Sequence, residues 1–314
     1  MRGYILVLVA ATLWSSVGVF YKLLITNYGL QPLAAATLRA SVGGALLLIV
    51  LVLLGVDLRV PRRDWPGLLA YGTFGVALFF VCYVNAVNLT GVAVAAVLTY
   101  TSPAWVAAIS WRWMGEHLGR RAVGALLLAL LGAALVAQVY NLALLRVNLL
   151  GVLAGLAAGL AYGLYSVFNK LLVRRNQPWV VQAYGFLIGA MILLVLTPLP
   201  ELARGWATPA SIALLVGMAV IPTVLASLAF AVGVHGIPVS VAAIIATFEP
   251  FVATFFGYVF FGERLEPGQW VGMVCILGAI LLLRPRTVCQ NSSSSLPEHG
   301  GCFDNIRSDR SLGQ

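Results

Sequence analysis

Two ionisable side chains, Arg39 and Glu249, fall well inside long apolar runs of a 314-residue chain that is 61% hydrophobic and 9% charged. A charge at the centre of a hydrocarbon layer costs at least about 2.5 to 3.5 kcal/mol for Arg on insertion scales, so such a group faces a cavity or a partner. Glu249 lies about twelve residues from either end of its run and Arg39 about seven residues into its own. At 1.5 Å per residue the axial offset between them is roughly 7 Å, within reach of two long side chains. One reading makes Glu249 the binder of a ligand ammonium group or of a coupling proton. The other makes it a protonated acid, or half of a structural ion pair with Arg39, direct or through water.

At the same depth stand Trp14, Ser15 and Ser16, then Tyr83, Asn85 and Asn88, then Tyr100, Thr101 and Ser102, then Tyr162, Tyr165 and Ser166. Of these, Trp14, Ser15, Tyr83, Asn85, Tyr100, Ser102, Tyr162 and Tyr165 join Arg39 and Glu249 as candidate substrate-binding residues. The aromatic rings suit an apolar or aromatic moiety of a ligand. The bland alternative for each is an ordinary interhelical hydrogen bond or filler. Pro103 and Pro250 fall in the middle of their runs, where a proline removes a helical hydrogen bond and frees a carbonyl. They are candidate gating hinges, with a packing kink as the alternative. Gly151, Gly155, Gly159 and Gly163 form a stripe that permits a close helix crossing. Lys22 and Lys170 are expected near helix C-termini, where they complement the dipole and reach the interface. Glu116 and Glu263, near Arg120 and Arg264, are expected to fix turns.

The elements that hold these residues must be membrane spans. With a mean hydropathy of +0.98 the chain has too little polar surface to coat a soluble globule. Ten apolar runs are expected to cross the bilayer, at about 3–23, 33–54, 66–87, 92–111, 122–140, 149–171, 180–197, 209–232, 238–261 and 268–283. Because they are solidly apolar and not alternating, they are helices and the fold class is all-α. Pro32, Pro61, Pro66, Pro178, Pro209, Pro238 and Pro267 sit at or near the boundaries, where a missing N–H does little harm. The first run is read as a retained span, since Tyr21-Lys22 stands where a cleavage site would need small residues. A cytoplasmic N-terminus puts twelve cations inside (Arg2, Arg59, Arg62, Arg63, Arg112, Arg120, Arg121, Lys170, Arg174, Arg175, Arg284, Arg286) and four outside (Lys22, Arg146, Arg204, Arg264). Both termini are therefore expected in the cytoplasm.

The chain also repeats itself. Ser102-Pro103 followed by Gly115-Glu116-His117-Leu118 recurs as Glu249-Pro250 followed by Gly262-Glu263-Arg264-Leu265, and Gly3 to Lys22-Leu23-Leu24 recurs as Gly151 to Lys170-Leu171-Leu172. The offsets, 147 and 148 residues, mark a duplicated half-chain unit. Five spans per unit make the two copies inverted, the plan of a carrier that alternates access to a site near the midplane. The expected units are 1–143 and 144–286, followed by a polar, serine-rich segment at 287–314 read as a disordered cytoplasmic tail. A lipid bilayer and a small-molecule substrate are the expected partners, and a monomer is compatible with the plan.

Other chemistries find no support. Cys82 and Cys275 lie within spans and Cys289 and Cys302 in the tail, so no disulfide framework is expected. There is no CxxC, HExxH, GxSxG or P-loop pattern, and His117, His235 and His299 are scattered, so neither a metal nor another cofactor is expected. The net charge of +9 is explained by topology, and no nucleic-acid role follows from it.

Ala11-Thr12-Leu13-Trp14 leading to Lys22, Leu38-Arg39-Ala40, Thr101-Ser102-Pro103, Gly115-Glu116-His117-Leu118 and their second-half echoes resemble the drug/metabolite transporter superfamily, in its EamA-type pair of repeats. The resemblance covers about residues 3–284. It implies a ten-helix, multi-pass carrier of the inner (plasma) membrane that exports or exchanges small metabolites, amino acids among them, and not an enzyme. An exchanger of nucleotide sugars or other anions is the alternative within that class, and a polytopic membrane enzyme or sensor the alternative outside it.

Overall fold

The computed structural model describes residues 2–141, 148–262 and 264–283. Glu263, Arg146, Cys289, Cys302 and the segment read as a tail at 287–314 lie outside the described residues. Among the described residues the regular elements are all helical: α1 (Arg2–Tyr28), α2 (Pro32–Leu53), α3 (Arg62–Thr99), α4 (Ser102–Met114), α5 (Arg120–Val136), α6 (Leu149–Leu172), α7 (Pro178–Leu196), α8 (Leu199–Gly205), α9 (Pro209–His235), α10 (Val239–Phe261) and α11 (Pro267–Leu282). Seven of them, α1, α2, α3, α6, α7, α9 and α10, are long and apolar enough to cross a membrane, and α11 is a shorter apolar helix.

Local chemistry sets most boundaries. Pro32, Pro178, Pro209 and Pro267 each open a helix, where the absent N–H has no intrahelical partner to lose. Asn148 accepts from the amides of Leu150 and Gly151 at the start of α6, and Thr208 and Ser211 cap α9 reciprocally. α1, α4 and α10 end at Gly29, Gly115 and Gly262, all with φ near +65°.

The expected spans at 66–87 and 92–111 are drawn differently. Hydrogen bonding carries α3 through to Thr99, across a kink at Gly91, whose φ of 83° and ψ of 166° lie outside the helical region. The following break comes at Tyr100–Thr101, where Thr101 Oγ1 donates to the Leu98 carbonyl at 2.6 Å. α10 breaks likewise at Thr247, whose Oγ1 donates to Ile244 O at 2.6 Å. Pro103 is thus the second residue of α4, and Pro250 the third of the segment Phe248–Phe261. At such positions a proline removes no intrahelical bond, because the interruption lies just upstream of it.

Two further irregularities match each other. π-helical turns occupy Tyr71–Ala77 in α3 and Ala219–Leu225 in α9, 148 residues apart. In the second, Pro222 lies inside the turn and Thr223 Oγ1 donates to Met218 O at 2.9 Å.

The helices pack mainly as four pairs: α3 on α6, α5 on α11, α2 on α7 and α1 on α9. The glycine stripe of α6 makes the first contact close. A Cβ at Gly155 would come within 2.6 Å of the Leu98 side chain, and one at Gly159 within 2.6 Å of the Leu98 carbonyl. A central cluster that includes Trp14, Tyr71, Phe80, Tyr165, Phe186 and Phe230 joins α1, α3, α6, α7 and α9.

Gly159→Val should therefore overpack the α3–α6 contact and cost about 1 to 3 kcal/mol or more, lowering the unfolding temperature of the purified protein in detergent by several degrees. Gly124→Ala in α5, where an added Cβ meets nothing within 4 Å, should leave that temperature unchanged or raise it slightly. Equal thermal unfolding of the two variants would refute this account of the contact.

Candidate functional site

Residues beside an interruption of α1 at Ser16, the break at Tyr100–Thr101 and the break of α10 at Thr247 line a cavity of about 570 Å³. Seven of the ten candidate binding residues line it: Trp14, Arg39, Tyr83, Tyr100, Tyr162, Tyr165 and Glu249. An adjoining space of about 640 Å³ shares Trp14, Tyr83, Tyr100 and Glu249, and there Ser15 and Pro250 also reach the wall. Asn85 and Ser102 do not line either space. Asn85 is exposed and donates to the Val81 carbonyl one turn back in its own helix at 2.8 Å, and Ser102 is buried at the start of α4. Pro103 is likewise buried away from the cavity.

Glu249 is held by two other helices. Its Oε2 accepts from Tyr162 Oη of α6 at 3.1 Å, and its backbone carbonyl accepts from Ser15 Oγ of α1 at 2.9 Å. The carboxyl sits in the first turn of a helical segment, where exposed amides favour a negative charge. Arg39 projects from α2 with its guanidinium carbon 4.9 Å from the Phe80 ring centroid, a cation–π arrangement. Its Nε is buried without a hydrogen-bond partner. The ion pairs formed among the described residues are Arg175–Asp64 at 3.7 Å and Arg204–Glu201 at 3.1 Å. Arg39 and Glu249 thus line one cavity without forming an ion pair with each other.

Between them the wall is aromatic. Trp14 meets Tyr162 and Tyr165 edge-on with centroids 6.1 Å apart, and Phe79 stacks on Tyr83 at 5.8 Å. Behind Tyr165 a polar layer closes the site: Tyr71 Oη donates to Gln182 Oε1 at 2.8 Å.

Sequence reasoning missed Tyr21, Phe79, Phe80, Phe186 and Ser227, which also line the cavity. Helical spacing carried a signal for some of them. Trp14, Gly18, Tyr21 and Ile25 recur every third or fourth residue, as do Phe79 and Tyr83. Phe186 and Ser227 carried none, because an aromatic or a serine in an apolar run reads as core.

Among the described residues no group of three His, Cys, Asp or Glu could hold a metal ion. The arrangement is that of a receptacle with a cation, a carboxyl and aromatic rings in its wall.

Comparison with known proteins agrees with a receptacle that serves transport. The chain is 29% identical over 289 residues to the uncharacterized transporter YwfM of Bacillus subtilis, covering 90% of this chain and 95% of that protein. It is 26% identical over 295 residues to a probable terminal-alkyne amino-acid exporter of Streptantibioticus cattleyicolor, covering 93% and 96%. A solved crystal structure superposes with a TM-score of 0.75 at 20% identity over 89% of this chain and 95% of that one, which establishes the fold. Together with the apolar helices these relatives make it a multi-pass membrane protein and a transporter rather than an enzyme. The model of the EamA-like transporter family matches twice, over residues 1–138 and 149–284, and the chain belongs to that family.

Proposed function

We propose that this chain exports amino acids or closely related small zwitterions by alternating access. The observation that carries the reading is that Arg39 and Glu249 line one aromatic-walled cavity and are not joined in an ion pair. A ligand carboxylate suits the guanidinium fork and a ligand ammonium suits Glu249, while the rings accept an apolar side chain. The amino-acid exporter among the relatives supports the same class. An exchanger of anionic metabolites has Lys22 in the cavity wall in its favour and Glu249 against it.

The architecture proposed for this transport is ten spans in two inverted five-helix units, 1–143 and 144–286, with both termini cytoplasmic. Its supports are the kink at Gly91 between the third and fourth spans, the π-helical turns 148 residues apart and the two family matches. The pairing of α3 with α6 and of α1 with α9 is what exchange of two similar halves would produce.

Glu249→Gln should cut counterflow of a labelled amino acid more than about tenfold, the order expected for losing a charge-assisted bond, and flatten its pH profile while membrane expression holds. Wild-type flux with an unshifted pH profile would sink the assignment. In competition assays a deaminated acid and an amino-acid ester should each be at least about tenfold weaker than the parent amino acid. A deaminated acid that competes equally well would favour the anion exchanger.

Topology has its own test. Single cysteines replacing the exposed Arg63 and Arg121 should react with an impermeant reagent from the cytoplasmic face, and one replacing Arg204 from the other. Labelling of positions 63 and 204 from one face would overturn the inverted plan. Pro103→Ala and Pro250→Ala, if the prolines gate, should relax the fixed backbone beside each break and slow turnover more than they weaken binding. Unaltered turnover in both would make the prolines packing features.

A further inference from the structure

Lys170 is expected at a helix end reaching for the interface, yet it is 6% exposed. Its Nζ donates to three carbonyls, Val234 O at 2.6 Å, His235 O at 2.9 Å and Ile237 O at 2.7 Å, which occupies all three ammonium protons. These carbonyls end α9 and begin the turn into α10, where the helix dipole is negative. The other side of the same turn is held by Glu116, which does not serve the start of α5 as expected. Its carboxylate accepts from the amides of Val239 at 3.1 Å and Ser240 at 3.3 Å and from Ser240 Oγ at 2.6 Å, capping α10. One short turn, 234–240, is thus gripped by a cation from α6 and an anion from the α4–α5 connection.

Lys22, the repeat partner of Lys170, is exposed in the cavity wall, with its Nζ 3.9 Å from the Phe261 ring centroid. The positions that line the cavity near it also have repeat partners. Tyr21 and Tyr83 correspond, 148 residues on, to Asn169 and Ala231, and Val92 and Ala96, 147 residues on, to Val239 and Ala243. Every one of those partners is buried. These positions near the gripped turn, small or polar, are therefore packed counterparts of positions that line the cavity.

We propose that Lys170 and Glu116 are a two-point latch: while they hold the 234–240 turn, the Lys170 end of the site is shut, and each cycle requires both to let go. The latch rests on the alternating-access reading above. Removing either grip biases the protein toward the state open at the Lys170 end, because the shut state loses charge-assisted bonds that the open state does not make.

The test uses full-length protein without native cysteines, carrying Ala243→Cys between the turn and Glu249, or Val87→Cys in the present cavity wall. Lys170→Met and Glu116→Gln should each raise the labelling rate at position 243 by an impermeant maleimide from the Lys170 side at least about tenfold, and lower it at position 87 from the other side. Glu116→Gln leaves the buried lysine in place, so it decides the matter if Lys170→Met fails to fold. Unchanged labelling at 243 in a variant that stays monodisperse overturns the latch. Labelling needs no substrate, so flux of the parent protein judges the transport reading separately: parent flux with unchanged labelling removes the latch alone, and shifted labelling without flux keeps the latch and removes the export reading.

Discussion

A polar group that cannot reach water must find its partner inside the protein, and in a chain this apolar that requirement decides where the helices bend and what the bends can hold. Ser16, Thr101 and Thr247 mark interruptions in α1, between α3 and α4, and in α10, and each hydroxyl donates to a carbonyl three residues back. Each interruption lies beside the cavity, so the same devices that satisfy broken backbone also clear room for a ligand and turn Ser15, Tyr100 and Glu249 toward it. Lys170 obeys the same rule in a different place. A buried ammonium is tolerated because three carbonyls enclose it.

The site draws its charges from both halves, Arg39 from α2 and Glu249 from α10, and its rings from α1, α3, α6 and α7. That distribution depends on the close approach of α6 to α3, since the glycines at 151, 155 and 159 bring the backbone carrying Tyr162 within reach of Phe79. Bulkier residues there would move Tyr162 off Glu249 Oε2 as well as loosen the packing. Packing and recognition share one helix face and cannot be altered independently.

Composition and run length made the all-helical membrane class legible, because hydrocarbon admits few alternatives. Glu249 and Arg39 were legible for the same reason: a charge in an apolar run is expensive enough to need an explanation. Asn85 and Ser102 line neither space, and the sequence does not report this because depth along a helix says nothing about which way a side chain faces, and Asn85 satisfies itself against Val81 O. The interruptions at Thr101 and Thr247 escaped because prolines mark a break only to within a turn, and here the hydroxyl upstream takes the break first. Glu116 and Lys170 looked like local helix-end charges, whereas their partners lie 123–124 and 64–67 residues away in sequence. No local pattern reports a contact of that span.

The asymmetry between the halves bears on how binding could drive the cycle. Ser102 stands where the second half has Glu249, so the repeat supplies a common scaffold while the acid belongs to one copy. A ligand that joins Arg39 to Glu249 ties a helix of each half together, and any relative movement of the halves changes the distance it must bridge. In the alternating-access cycle proposed above, binding free energy would then differ between the two facing states, which is the condition for a ligand to shift their populations. An empty site, with guanidinium and carboxyl apart, would lack that tie, leaving the Lys170 and Glu116 grips to hold the end they close.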